Sequence, residues 1–120
     1  MGKRVLVVDD EEMLCDLIAT ELSSNGVEVI KAYSGDEALK IALKERFDLV
    51  LTDIRMPRMD GGEMMDRMSF QLGEKTPTFM VMTGFSDYTE EYLKEIGVIR
   101  VFKKPNDFEK IIEEVTTFCQ

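Results

Sequence analysis

Five short apolar runs punctuate the chain, and after each one apolar residues recur at intervals of three and four. Apolar runs of this length, bounded by turn residues, read as buried strands, and the spaced stretches read as amphipathic helices. The first run, Arg4–Val8, ends in Asp9-Asp10; Met13, Leu14, Leu17, Ile18 and Leu22 follow at helical spacing until Asn25-Gly26 stops the helix. Val27–Ala32 is the second strand, and Ser34 with Glu37 forms a capping box for a helix carrying Ala38, Leu39, Ile41 and Ala42. Phe47–Thr52 is the third strand and runs into Asp53, then into the turn-rich stretch from Ile54 to Gly62. The spacing predicts a helix from about Gly62 to Leu72 with Met64, Met65, Met68 and Leu72 inward. Thr78–Met82 leads to Thr83-Gly84, and Ser86 is placed to cap a helix carrying Tyr88, Tyr92, Leu93 and Ile96. Val98–Phe102 leads to Lys103-Lys104-Pro105, and a last helix shows the stripe Phe108, Ile111, Ile112, Val115, Phe118, Cys119.

Strand and helix alternating in this way imply an α/β fold: a parallel sheet with helices on both faces, doubly wound in the order 2-1-3-4-5, in a single domain over residues 1–120. The methionines Met64, Met65 and Met68 read as core of one helix, with Met80 and Met82 in the adjacent strand.

Composition narrows the function. The chain has 120 residues, 44% of them hydrophobic and 32% charged, the balance of a soluble globular domain. No apolar run reaches the roughly 20 residues of a membrane span, and the expected location is cytoplasmic. The formal charge of −9 with no basic patch argues against direct nucleic-acid binding. The absence of histidine removes histidine catalysis and any role as a phosphohistidine donor. Cys15 and Cys119 are expected to be free thiols.

The chemistry gathers at the strand ends. In open parallel sheets ligands bind outside the carboxyl ends of the strands, at the point where strand order reverses. Asp9 and Asp10 follow the first strand, Asp53 the third, Thr83 the fourth and Lys104 the fifth. Taken singly, each has a plain reading: an acid capping a helix or turn, a strand-end threonine, a solvated lysine. Together they converge on one pocket. Carboxylates held that close repel unless a cation lies between them, and hard oxygen ligands favour Mg²⁺. A carboxylate can also act as a nucleophile and form an aspartyl phosphate, which points to Asp53. Thr83 and Lys104 would then hold phosphoryl oxygens, and Gly84 would leave room for the incoming group.

These residues resemble a known family. Val5-Leu6-Val7-Val8-Asp9-Asp10-Glu11, then Asp48-Leu49-Val50-Leu51-Thr52-Asp53-Ile54-Arg55-Met56-Pro57 with Met59-Asp60-Gly61, then Met82-Thr83-Gly84 and Lys104-Pro105, are similar to the motifs of receiver domains of two-component response regulators, in particular the stand-alone chemotaxis type. The resemblance implies a flavodoxin-like fold and a phosphorylation switch. Asp53 would accept a phosphoryl group from a sensor histidine kinase or a histidine phosphotransfer protein. Asp10, Asp53 and the backbone carbonyl of Arg55 would hold Mg²⁺, with Mn²⁺ as an alternative and Asp9 in support; Thr83 and Lys104 would bind the phosphoryl oxygens. A downstream protein would read the face formed by the fourth helix, fifth strand and fifth helix. The chain would catalyse its own phosphorylation and dephosphorylation rather than turn over a metabolite. Arg55 and Phe85 would tune the lifetime of the phosphoryl bond.

Two positions depart from the family pattern. Val101 stands where Tyr or Phe usually precedes the motif lysine by three residues, and Arg58 stands where a glycine is often found. Other readings are a receiver belonging to a longer regulator, a degenerate receiver that binds without phosphorylation, and a small phosphatase of the haloacid-dehalogenase type. The last uses a nucleophilic Asp after its first strand in an Asp-x-Asp pattern, whereas the acids here are adjacent.

Overall fold

A computed structural model of the chain describes residues 2–84, 88–104 and 106–120. Its central strands are apolar on both faces because both faces are covered. β1 (Arg4–Val8), β3 (Leu49–Asp53) and β4 (Thr78–Thr83) lie inside a parallel sheet flanked by β2 (Glu28–Ala32) and β5 (Val98–Lys103), in the order β2-β1-β3-β4-β5. The sheet carries the predicted flavodoxin-like order, so β1 and β3 are neighbours where the winding reverses.

Among the described residues five helices fill the two outer layers: α1 (Glu12–Ser24), α2 (Gly35–Lys44), α3 (Gly61–Leu72), α4 (Glu90–Glu95) and α5 (Phe108–Phe118), with a 3-10 turn over Gly73–Lys75. Alternate strand residues divide the core. Leu6, Val8, Val50, Phe79 and Val81 pack with Ala38, Leu39, Met64, Met65, Met68 and Leu93 of α2, α3 and α4. Val5, Val7, Leu49, Leu51, Met80 and Met82 pack with Cys15, Ile18, Leu22, Ile111 and Val115 of α1 and α5. The methionines of α3 are core, as expected, but Met80 and Met82 lie across the sheet from them.

Two expectations need correction. On α1, Met13 is 88% exposed and Leu17 49%, while Cys15, Ile18, Ala19 and Leu22 form the buried stripe. At about 100° per residue, Met13 and Leu17 project opposite Ile18 and Leu22, so the five apolar residues never shared one face. The fourth helix starts later than predicted: the Thr89 side chain accepts a hydrogen bond from the Tyr92 N–H, and Tyr88 precedes the helix. Ser86, the predicted cap, lies outside the described residues, as do Phe85 and Pro105. In β5 the pairing with β4 slips between Phe79 and Met80, because Val98 faces Phe79 but Arg100 faces Met80. Ile99 is the extra residue of a bulge.

Candidate functional site at the carboxyl ends of the strands

β1 hands the chain to Asp9, which is fully buried and whose N–H donates to the Ala32 carbonyl at 3.1 Å. The side chain is held from two sides. Oδ1 accepts the Glu11 N–H at 2.9 Å, and Oδ2 accepts from Lys104 Nζ at 2.9 Å. On the neighbouring β3, Asp53 is 6% exposed; its Oδ1 accepts the Ile54 N–H at 2.7 Å and its Oδ2 accepts from Lys104 Nζ at 2.9 Å. Asp10 is exposed at the mouth. Asp9, Asp10 and Asp53 each present a carboxylate oxygen within 4.8 Å of the others.

Lys104 reaches this cluster from the end of β5, where its N–H donates to the Thr83 carbonyl at 3.1 Å. Its ammonium has a third acceptor, Glu11 Oε1 at 2.7 Å. Burial disfavours the ammonium, but the bonds to Asp53, Glu11 and Asp9 outweigh that cost and hold its pKa well above the usual lysine value. Asp9 moves the other way. Burial pushes its carboxyl up to about 6, against the pull of the Glu11 N–H and Lys104 and with a further push from the Asp53 charge. The Lys104 ammonium thus bonds three carboxylates, Asp9, Glu11 and Asp53, and the fully buried Asp9 bears the strain.

Thr83 is the last residue of β4, partly buried and paired with Lys103 of β5. Arg55 is exposed and, with Asp10, Asp53, Gly84 and Lys104, borders a cavity of about 530 Å³ above the cluster. The structure thus gathers Asp9, Asp10, Asp53, Arg55 and Lys104 around one opening, with Thr83 on its margin. Gly84 is less crowded than expected: an added Cβ would meet only Lys104, at 3.9–4.0 Å.

The loop after β3 is built around a different glycine. The Gly61 N–H donates to the Ile54 carbonyl at 2.8 Å, and a Cβ on Gly61 would lie 2.3 Å from the Asp53 carbonyl oxygen. The chain can fold back onto Asp53 only because that side chain is missing. Asp60 then caps α3, accepting the Glu63 N–H at 2.8 Å. Arg58 takes the conformation expected of a glycine, with φ of 67°, and the Met59 N–H closes a three-residue turn on the Pro57 carbonyl at 2.8 Å.

Glu11 was not picked out from the sequence. The signal was there, a third acid directly after Asp9-Asp10, but an acid at the first turn of a helix has a sufficient explanation in the helix dipole.

Comparison with known proteins agrees with this geometry. The family model for the response regulator receiver domain matches residues 5–116. The chain is 33% identical over 120 residues to sporulation initiation phosphotransferase F of Bacillus subtilis, covering 98% of this chain and 94% of that protein. It is 34% identical over 105 residues to the alkaline phosphatase synthesis transcriptional regulatory protein PhoP of the same organism, but spans only 43% of that protein's length. Among solved structures, the chemotaxis protein CheY4 of Vibrio cholerae superimposes with a TM-score of 0.86 at 29% identity, covering 98% of both chains. The response regulator protein TrrA of Thermotoga maritima, solved in complex with Mg²⁺–BeF, superimposes with a TM-score of 0.80 at 32% identity, covering 96% of this chain and 97% of that one.

Proposed function

The chain belongs to the response regulator receiver domain family, the phospho-accepting switches of two-component signalling, and we propose that Asp53 is its phospho-acceptor. One observation carries the assignment: Lys104, 51 residues further along the chain, brings its ammonium to 2.9 Å from the Asp53 carboxylate at the switch point of the sheet. A buried carboxylate, a fixed ammonium and a strand-end hydroxyl form a constellation for phosphoryl transfer, in which a protein mainly positions groups and stabilises charge.

The donor set fits a small divalent cation. Asp9, Asp10 and Asp53 supply hard oxygens close together, and these with the Arg55 backbone carbonyl would hold Mg²⁺, or Mn²⁺ in its place. When bound, the ion offsets charge on the phosphoryl oxygens and relieves the repulsion among the carboxylates. The residues of the chain do the rest. An Asp53 carboxylate oxygen attacks phosphorus and forms the new P–O bond, while the bond from phosphorus to the donor's imidazole nitrogen breaks and the nitrogen keeps the electron pair. Lys104 transfers its hydrogen bonds from carboxylate to phosphoryl oxygen, and the Thr83 hydroxyl donates to another.

The donor imidazole lies outside these 120 residues, which contain no histidine. A sensor kinase or a histidine phosphotransfer protein fits that role. The exposed Met13, in the first turn of α1, and Leu17, one turn further on, offer such a donor an apolar seat. The face of α4, β5 and α5, with Tyr92 and Ile99 partly exposed, is the surface we assign to a downstream protein. Among the described residues no helix is long and apolar enough to cross a membrane; from the family we infer a cytoplasmic place of work.

The test is incubation with a small phosphodonor and Mg²⁺, followed by intact-mass and peptide analysis. One phosphoryl group should appear, on Asp53, and should be absent without divalent metal. Equal labelling of Asp53→Asn would reject the assignment. Continuous release of phosphate without a stable phosphoprotein would favour the phosphatase reading.

A further inference from the structure

The family position for a switching aromatic is occupied by Val101, yet an aromatic bridge exists elsewhere in the molecule. Tyr88 lies between the end of β4 and the start of α4. Its hydroxyl donates to the Asp60 carboxylate, with oxygens at 3.0 and 3.2 Å. Asp60 is also the cap of α3 and adjoins Gly61, the residue seated against the Asp53 carbonyl. On its other side the Tyr88 ring stacks on Tyr92, with centroids 5.4 Å apart and planes 12° from parallel. Tyr92 is in α4 and partly exposed on the proposed partner face. The ring fits because position 62 is glycine: a Cβ there would lie 2.5 Å from the Tyr88 ring. Tyr88 and Val101 also pack against the same core layer.

We propose that Tyr88 is the coupling residue of this receiver, its Asp60 hydrogen bond tying the phosphorylation loop to α4 in the unphosphorylated state. The proposal rests on Asp53 as phospho-acceptor. A phosphoryl group on Asp53 draws Thr83, the last residue of β4, toward it, and Tyr88, five positions further along the chain, moves with it. The Asp60–Tyr88 bond is then given up, and the Tyr88–Tyr92 stack carries the movement to the partner face. With Val101 too small to fill a vacated space, the tether takes the place of a rotating ring.

The discriminating variant is Tyr88→Phe, which keeps the ring over Gly62 and the stack on Tyr92 and removes only the hydroxyl. A hydrogen bond to a carboxylate biases an equilibrium by roughly tenfold. Backbone amide NMR signals of Tyr92, Ile99 and their neighbours are compared in wild type and variant, with Mg²⁺ alone and with Mg²⁺ plus beryllofluoride as phosphoryl mimic. In the variant without mimic, these signals should move part-way toward the mimic-bound wild-type positions, and about tenfold less mimic should saturate it. Signals that remain at the wild-type resting positions, with unchanged mimic affinity, would overturn the coupling. Asp60→Asn supplies a second arm: asparagine still caps α3 but is a weaker acceptor for the phenol. It should shift the same signals in the same direction, and the double variant should add little to Tyr88→Phe; full additivity would also overturn the proposal. Phosphorylation of Asp53 is followed in parallel. Failure of wild type itself to accept a phosphoryl group would sink the acceptor assignment, whereas normal phosphorylation with unmoved α4 signals in both variants would sink only the role of Tyr88.

Discussion

The buried Asp9 carboxyl makes a quantitative prediction about the metal-free protein. Its pKa in the fold, about 6, stands above the ordinary 3.8, chiefly because burial penalises the charged form. The folded protein therefore binds this proton more tightly than the unfolded chain does. Well below pH 3.8 both states hold the proton and Asp9 costs nothing. Between pH 4 and 6 the unfolded chain releases it first, and folding stability falls as pH rises. Above the folded pKa the cost is complete. At about 1.4 kcal/mol for each tenfold change in proton affinity, it amounts to about 3 kcal/mol at pH 7. Asp9→Asn removes the charge and keeps the shape. Its carbonyl oxygen can still accept the Glu11 N–H, and Lys104 keeps Glu11 and Asp53 as partners. In EDTA the variant should come close to wild type at pH 4 and exceed it at pH 7 by up to about 3 kcal/mol, or roughly 10 °C in Tm for a domain of this size. Millimolar Mg²⁺ should close most of the gap by stabilising wild type alone. The assay is urea or thermal unfolding of both proteins across pH 4–8. A variant less stable than wild type at pH 7 in EDTA, or a difference that does not vary with pH, would refute the strained carboxyl.

Gly61→Ala should destabilise by at least about 2 kcal/mol, because its Cβ would sit 2.3 Å from the Asp53 carbonyl oxygen; a wild-type melting temperature would contradict the close approach. Arg58→Gly should raise stability slightly, by about 0.5 kcal/mol. It relieves roughly 1–2 kcal/mol of left-handed strain, offset by glycine's greater freedom when unfolded and by loss of the exposed 3.4 Å contact with Asp36; a lower Tm would count against it. Cys15 and Cys119 are both free. A thiol reagent should find one group at Cys119 in the native protein and the second only on unfolding, since Cys15 is fully buried with its pKa pushed up to about 12.

The strands were legible because burial on both faces leaves a continuous apolar run, and the site was legible because a parallel sheet sends every strand end to one edge. Asp53, Lys104, Asp9 and Asp10 could be grouped on topology alone. The helix phases were harder. Counting apolar residues at helical spacing gave α1 a seam that includes Met13 and Leu17, whereas the small Cys15 and Ala19 complete the face that is buried. Contacts between loops left no trace. Tyr88 and Asp60 are 28 positions apart; the helical spacing that grouped Tyr88 with Tyr92 and Leu93 says nothing of a bond to Asp60.

The bulge in β5 shows how one local irregularity bears on the whole question of switching. Strict alternation from Val98 would put Phe102 on the same side as Val98, facing α2, α3 and α4, with Val101 on the other side. The extra residue at Ile99 reverses this. Val98 and Val101 both face the layer of α2, α3 and α4, while Phe102, 1% exposed, is packed with Met82 and Ile111 under α1 and α5. Thr83 is two residues beyond Val81 on β4, so its side chain lies on the Val81 side of the sheet. The aromatic ring of β5 and the hydroxyl of β4 are therefore on opposite sides of a hydrogen-bonded sheet. Phe102 could reach the space beside Thr83 only if β5 left the sheet or slipped its register by one residue, exposing its buried face. Tyr88 shares the layer of Thr83 and Val101, and no strand separates it from them. Beryllofluoride with Mg²⁺ should accordingly perturb the ring signals of Tyr88 and Tyr92 and leave those of Phe102 where they are. A Phe102 ring that moves out of the α1 and α5 layer would show that the register of β5 is itself the switch.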